Sequence, residues 1–419
     1  MKTIEADVVV IGGGPAGMAA ALEASRLGAE SVHLLERDGN LGGVLPQCIH
    51  DGFGVQRFGH LLTGPQYAQR EVDALEDTPV KVHLKAMALN ISPDRIVTFT
   101  DPQEGLKHIK AKAIILSMGC RERTRNQIRI PGTRPAGVYT AGCAQRLINI
   151  EGMMVGKRAV ILGSGDIGLI MARRLKLEGA TVEGCYEILP RPSGLMRNIV
   201  QCLNDFDIPL HLSHTITEVL GKKRVEAVVI HQVDEQRRPI EHTRRVIDCD
   251  TLILSVGLIP ENELTRKAGI EMDPITGGPI VDSTMETSVE GVFACGNVVH
   301  VYDLVDYVTF SAQRAAKGAV DRVKGQVPKR SIGLVSGNNV RYLVPNRLML
   351  LTKSELVCFR VQDEQRNCKV IVRSDDTVVF TKKERVVRPA EMVVVKLKES
   401  HIQKIGKSVQ ELKVEVVDA

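Results

Sequence analysis

Aromatic side chains are scarce in this 419-residue chain, at 3% of the total. Stacking-based recognition of nucleic acid therefore has little material to work with. The nine cysteines (Cys48, Cys120, Cys143, Cys185, Cys202, Cys249, Cys295, Cys358 and Cys368) include no Cys-x-x-Cys pair. That spacing excludes a zinc knuckle or an iron–sulfur run, no metal site is expected, and most of these residues read as small buried hydrophobes. No stretch approaches the roughly 20 uninterrupted apolar residues that a membrane span needs. Acids at Glu5 and Asp7 lead into the first apolar run without the layout of a signal peptide. The expectation is a cytoplasmic protein with no membrane span.

What the chain has in quantity is glycine, 37 residues, many clustered just after apolar runs. Such clusters bring backbone rather than side chain up to a ligand, which points to nucleotide binding. The formal charge of +5 is spread over scattered Lys and Arg residues. It reads as a solvated surface, and no nucleic-acid partner is expected. With 43% hydrophobic and 25% charged residues, the length suits about two to four globular domains.

From Asp7 an apolar run of strand type leads into Gly12-Gly13-Gly14-Pro15-Ala16-Gly17, and a helical stretch follows to about Leu27. A second apolar run, Val32-His33-Leu34-Leu35, ends in Glu36. Glycines at these places let the chain turn sharply and let backbone approach a pyrophosphate. The helix N-terminus supplies N–H donors, and the distal acid accepts from a ribose. The unit recurs as Arg158–Leu162, Gly163-Ser164-Gly165-Asp166-Ile167-Gly168, a helix-like Leu169–Glu178 and a strand-like Thr181–Tyr186 ending in Glu187. Gly163 follows Gly12, and Glu187 follows Glu36, by the same 151 residues. A further pair of matching segments, Ala113–Gly119 and Thr251–Gly257, reads as strands whose ends approach a cofactor.

With these motifs in hand the chain resembles the two-dinucleotide-binding-domain flavoproteins of pyridine nucleotide-disulfide oxidoreductase type, over residues 5 to about 325. Further matches are Leu41-Gly42-Gly43, Ser117-Met118-Gly119, Gly257–Asn262 and Gly291–Asn297. More narrowly, the chain is similar to the flavoprotein subunits of hydrogen cyanide synthase, opine oxidase and hydroxyproline dehydrogenase, and to those found beside FAD-dependent glycerol-3-phosphate dehydrogenases. Gln47–Gly54, Gly119–Arg123, Tyr139–Gly142 and Gly296–Asp306 carry that similarity. The family's redox cysteine pair is replaced by Leu45 and His50, and its terminal Gly-Asp by Gly296-Asn297. Dithiol chemistry is therefore not available there.

The resemblance implies an α/β fold. Two Rossmann-like, three-layer dinucleotide-binding domains are expected, the second inserted in the first, with a small carboxy-terminal β domain. The expected boundaries are 1–125 with 256–327 for FAD, 126–255 for NAD(H), and 328–419 for the β-rich end. FAD is expected over Gly12, Gly14, Pro15, Ala16, Gly17, Glu36, Arg37, Gly43, Gly119, Gly257, Gly296 and Asn297. NAD(H) is expected over Gly163, Gly165, Gly168 and Glu187, the last favouring NAD over NADP because a carboxylate repels a 2′-phosphate. A helix from about Tyr307 to Lys324 should point its positive end at the flavin.

Cys48 is the candidate catalytic residue, a charge-transfer thiolate or sulfenic acid, set against a packed small side chain. His50 and His300 are weighed as proton donors against structural hydrogen-bonders. Asp303 and Asp306 are weighed as the mouth of a substrate site against acids that open the Tyr307 helix. Beyond Gly325, a linker-like 326–330 precedes alternating runs such as Lys369–Arg373 and Thr377–Thr381, with Asp375-Asp376 as a hairpin turn. The leading function is an FAD-dependent NAD(H) oxidoreductase that moves a hydride between the two cofactors as one subunit of a multi-protein dehydrogenase. Its expected partner is a dehydrogenase or electron-transfer subunit, or, in a homo-oligomer, a second copy of the chain. The alternatives are a self-contained NADH oxidase or peroxidase using Cys48, and a redox-responsive scaffold.

Overall fold

A computed structural model describes residues 3–327, 330–349, 354–375, 377–406 and 409–419. The chain divides into two compact units. Met1–Cys120 and Pro260–Ala419 form one, and Arg121–Ile259, set into it in sequence, forms the other.

In the first unit the run after Glu5 is strand Ile4–Ile11, with Val8, Val9 and Val10 wholly buried. Consecutive rather than alternating burial marks a parallel strand covered on both faces. The sheet runs Lys81–His83, Val32–Leu35, Ile4–Ile11, Gly105–Leu116, Ile96–Asp101, Met87–Ile91. Gly105–Leu116 changes neighbour along its length. Its first half pairs antiparallel with Ile96–Asp101, and its last residues pair in parallel with Val292–Ala294, on the chain returning from the second unit. Helices Pro15–Arg26 and Val305–Val323 bury alanine-rich faces in the same core, Ala19, Ala20 and Ala24 from one and Ala312, Ala315 and Ala319 from the other. Small side chains let the backbones come close.

The second unit repeats the plan. Val138–Thr140, Thr251–Leu254, Arg158–Leu162, Thr181–Glu187 and Leu210–Leu212 form a parallel sheet in that order. Helix Asp166–Leu177 follows the glycine turn. Three antiparallel strands, His214–Leu220, Ala227–Gln232 and Arg245–Asp248, form a separate small sheet.

The end of the chain belongs to the first unit but has a core of its own, built from residues such as Ile332, Phe359, Val370 and Val414. Its two sheets, of five and three strands, are antiparallel except where Ser331–Ser336 runs parallel to Glu411–Asp418. The hairpin Gln365–Ser374 to Thr377–Val387 closes through a Ser374–Thr377 pair, with Asp375 in the left-handed region at φ 47°. Asp376, Pro328 and Lys329 lie outside the described residues. No helix among the described residues is long and apolar enough to cross a membrane.

Candidate functional site: two nucleotide cradles

In the first unit the chain leaves Ile4–Ile11 through Gly12, whose φ of +105° favours glycine. Gly12 N–H donates to Leu35 O (2.8 Å), and a Cβ on Gly12 would lie 2.6 Å from Ser117 O. Ser117 Oγ donates to the carbonyls of Ile11 (2.8 Å) and Gly12 (3.0 Å), locking the turn. Gly17 packs the helix onto this turn so tightly that a Cβ there would run into Gly12 O. Helix Pro15–Arg26 begins at Gly14 with no side-chain cap and no acid in its first turn. Its first N–H groups and the positive end of its dipole therefore suit an anion such as a pyrophosphate.

Other candidates converge on the same place. A Cβ on Gly43 would be 2.9 Å from Gly14 Cα, and one on Gly296 would be 2.9 Å from the Ala16 methyl. Gly119, at φ +73°, would place a Cβ with nothing within 4 Å, so an open space fronts its backbone. Asn297 is oriented by Tyr302 N–H donating to its Oδ1 (3.1 Å) and by its own Nδ2 donating to Cys120 Sγ (3.6 Å). Arg37 is exposed beside the buried Glu36.

Glu36 lies at the end of its strand, 7% exposed. Its Oε2 accepts from Gly13 N–H and its Oε1 from Asp38 N–H, each at 2.7 Å. Each oxygen keeps a lone pair in hand, the number needed for two adjacent ribose hydroxyls.

The second unit reproduces the glycine turn and the carboxylate clamp, while its serine bonds to different atoms of the turn. Gly163 N–H donates to Tyr186 O (2.7 Å), and Gly163 stands at φ +91° against Ser255 O. Ser255 takes the part of Ser117, accepting at Oγ from Gly168 N–H (3.1 Å) and donating to Gly165 O (3.3 Å). Glu187 Oε2 accepts from Ser164 N–H (3.0 Å) and Oε1 from Leu189 N–H (3.0 Å). Gly13, Glu36 and Asp38 thus map onto Ser164, Glu187 and Leu189 by the sequence offset. Helix Asp166–Leu177 again starts on a glycine, Gly165, without a side-chain cap. Its first-turn acid, Asp166, is turned aside by Leu195 N–H (2.8 Å) and Asn198 Nδ2 (2.6 Å). Gly257, at φ +103°, accepts from Arg123 N–H (3.0 Å) within this unit, which runs to Ile259, so it lies on the other side of the boundary expected at 255/256.

A further difference between the copies, at the carboxylate itself, is one that sequence reading missed. Ser164 Oγ (2.5 Å) and Ser193 Oγ (3.0 Å) both donate to Glu187 Oε2, and Ser193 N–H donates to Ser164 Oγ (2.9 Å). Ser164 stands where the first copy has Gly13, which was a readable signal. Ser193, 29 residues away, left none.

The remaining candidates sort by environment. Cys48 ends the short turn Leu45–Gln47 and donates from Sγ to Val44 O (3.3 Å). Burial pushes its thiol up to about 12, so it carries the thiol and not the thiolate at neutral pH. His50 Nδ1 lies 2.8 Å from Asp51 O, with its ring against Phe53. His300 is 1% exposed, and burial lowers its pKa to about 3. It stays a neutral imidazole and is no proton donor at neutral pH. Asp306 does stand in the first turn of helix Val305–Val323 and accepts from Arg57 N–H (3.1 Å). Asp303 does not open that helix. Its carboxylate pairs with Arg360 and accepts from Met392 N–H (2.6 Å).

Two strand–glycine–helix turns, each closed by a buried carboxylate, define a protein with two dinucleotide-binding folds. Residues 6–319 match the pyridine nucleotide-disulphide oxidoreductase family, and the chain belongs to it. Among curated relatives, hydrogen cyanide synthase subunit HcnB of Pseudomonas protegens is 26% identical over 63% of this chain and 59% of its own length. An opine oxidase subunit from Agrobacterium tumefaciens is 24% identical over 70% of this chain and 61% of its own. The chain thus spans about three fifths of the length of the curated relatives it matches. The solved structure of T. acidophilum thioredoxin reductase superposes at a TM-score of 0.62 with 22% identity, over 76% of this chain and 98% of that one. That likeness is one of fold.

Proposed function

We propose that the chain is an FAD-dependent NAD(H) oxidoreductase working as one subunit of a multi-protein dehydrogenase. The observation that carries this reading is the repeated carboxylate clamp: Glu36 on Gly13 and Asp38 N–H, Glu187 on Ser164 and Leu189 N–H, each beside an uncapped glycine-led helix. FAD is assigned to the first unit up to residue 327 and NAD(H) to the second, Arg121–Ile259, so the expected boundaries at 125/126 and 255/256 shift by a few residues, with 328–419 as the carboxy-terminal segment.

Bound flavin supplies a two-electron redox centre for hydride exchange with a nicotinamide. The chain's own residues bind and orient. Gly12, Gly14 and Gly17 clear a path for a pyrophosphate that the first-turn N–H groups hold, and Glu36 accepts from the ribose. Asn297, fixed by Tyr302 and Cys120, would be the uncharged amide that holds the ribityl chain. Glu187 accepts from the NAD ribose and repels a 2′-phosphate. Two of the relatives are named as subunits of larger enzymes, which supports the partner assignment.

Anaerobic addition of NADH to the FAD-loaded protein tests the reading. The flavin band near its visible maximum should bleach in proportion to NADH, and NADPH should do so far more slowly. A protein that cannot be loaded with FAD, or whose flavin NADH leaves oxidised, would overturn it.

A further inference from the structure

The carboxy-terminal segment lies beyond the family match, which ends at residue 319. Yet it makes a concentrated set of polar contacts with one short stretch of the first unit, residues 300–303, between Asn297 and the start of helix Val305–Val323. Arg360, 16% exposed at its side chain, donates to Val301 O (3.2 Å) and pairs with the Asp303 carboxylate. The same guanidinium donates to Ala390 O (2.6 Å) and Pro389 O (3.3 Å) in its own segment. Asp303 also accepts from Met392 N–H, and His300 Nδ1 lies 3.3 Å from Tyr342 OH. Between these tethers sits Tyr302. Its N–H orients Asn297 by donating to Oδ1 (3.1 Å), and the neighbouring Gly296 N–H donates to Ser311 Oγ (2.9 Å) on helix Val305–Val323.

We propose that Arg360 is a positioning residue for the flavin site: through Val301 and Asp303 it fixes Tyr302, and through Tyr302 it fixes the Gly296-Asn297 edge and the helix start beside it. The carboxy-terminal segment then sets how tightly FAD is held and at what potential it works, without touching the cofactor. A planar, five-donor guanidinium suits the task, since it can bridge a carboxylate and three carbonyls at fixed angles. A tail that served only for packing has no need of a charged group on the stretch next to Asn297. Removing one member of a largely buried ion pair leaves the other charge unpaired, so the stretch should move rather than merely loosen.

This rests on the FAD reading, and the experiment separates the two. Apoprotein of the full chain is titrated with FAD by fluorescence, and the midpoint potential is measured by dye equilibration, in wild type, Arg360→Met, Arg360→Lys and the control Arg373→Met. The control breaks the Arg373–Glu415 pair, which lies wholly within the carboxy-terminal sheets. Arg360→Met should raise the Kd for FAD at least about tenfold and shift the potential, with Arg360→Lys between it and wild type. The control should leave the Kd within about twofold and the potential unshifted. Where Arg360→Met does not fold, Asp303→Asn carries the test, with a change in the same direction expected. Wild-type Kd and potential in a folded Arg360→Met would overturn the proposal, as would a control that reproduces both changes. Failure of the wild type to bind FAD would instead refute the reading beneath it.

Discussion

A carboxylate has about four lone-pair directions. In Glu187, Oε2 is filled by Ser164 N–H and the two serine hydroxyls, while Oε1 has only Leu189 N–H. One acceptor position therefore remains for the coenzyme, against two on Glu36. Glu187→Ala should lower kcat/KM for NADH roughly tenfold or more and narrow the gap to NADPH. Ser193→Ala leaves the carboxylate held by Ser164 and Leu189 but with one donor fewer on Oε2. It should raise KM for NADH several-fold with kcat little changed, and Ser193→Thr should restore the wild-type value. An unchanged NADH-to-NADPH ratio in Glu187→Ala would count against this account. Cys48 stands at the opposite extreme, since its group is present but not activated. With its thiol pushed up to about 12, alkylation at Cys48, followed by peptide mapping, should be slow at neutral pH and keep climbing with pH without levelling off through pH 10. Cys48→Ser should leave NADH bleaching of the flavin intact. A long-wavelength charge-transfer band in the reduced protein, lost in Cys48→Ser, would show that cofactor binding lowers this thiol's pKa.

Between residue and molecule, the unit that matters is the strand–turn–helix. In each copy a later glycine of the motif lets the helix lie against the turn: Gly17 on Gly12 O, and Gly168 with a would-be Cβ that runs into Ser255 Cβ. A methyl group at Gly17 would meet backbone that cannot yield, so Gly17→Ala should abolish FAD retention. Gly168→Ala meets Ser255 Cβ (2.4 Å), which is fixed to its own backbone and cannot swing aside, and should raise the KM for NADH while the protein stays yellow. Absorbance of the purified variants and steady-state kinetics distinguish the two, and loss of flavin from Gly168→Ala would break the assignment of one cofactor to each copy. These elements were legible because the chemistry demands glycine and acid at set distances from an apolar run, and the offset of 151 carried the backbone hydrogen bonds of the clamp with it. The Ser193 hydroxyl and the Arg360–Asp303 pair were not. The Ser193 hydroxyl reaches Glu187 six residues back across an irregular loop, and Arg360 lies 57 residues from Asp303; neither contact imposes a period on the sequence. Asp303 was misread for the same reason: so close in sequence to Asp306, it looked like part of one helix start.

At the scale of the whole chain, the question is where electrons go after the flavin is reduced. The family's cysteine pair is absent at Leu45 and His50, and Cys48 nearby holds its proton. His300, the buried histidine close to Asn297 in sequence, is held neutral. Neither a thiol relay nor an imidazolium acid is available at neutral pH among these candidates. On the function proposed above, the reduced flavin would pass its electrons to an acceptor other than these groups, which is the physical reason for preferring a partner subunit over a peroxidase that works through Cys48. Steady-state NADH oxidation by the isolated protein in air should therefore be slow, limited by reoxidation rather than by NADH. Stopped-flow bleaching of the flavin should be at least about tenfold faster than turnover, and a soluble dye acceptor should close most of that gap. Hydrogen peroxide should not close it. Rapid peroxide turnover by the isolated chain, abolished in Cys48→Ser, would reverse the preference, because it would require a thiolate that burial of Cys48 disfavours.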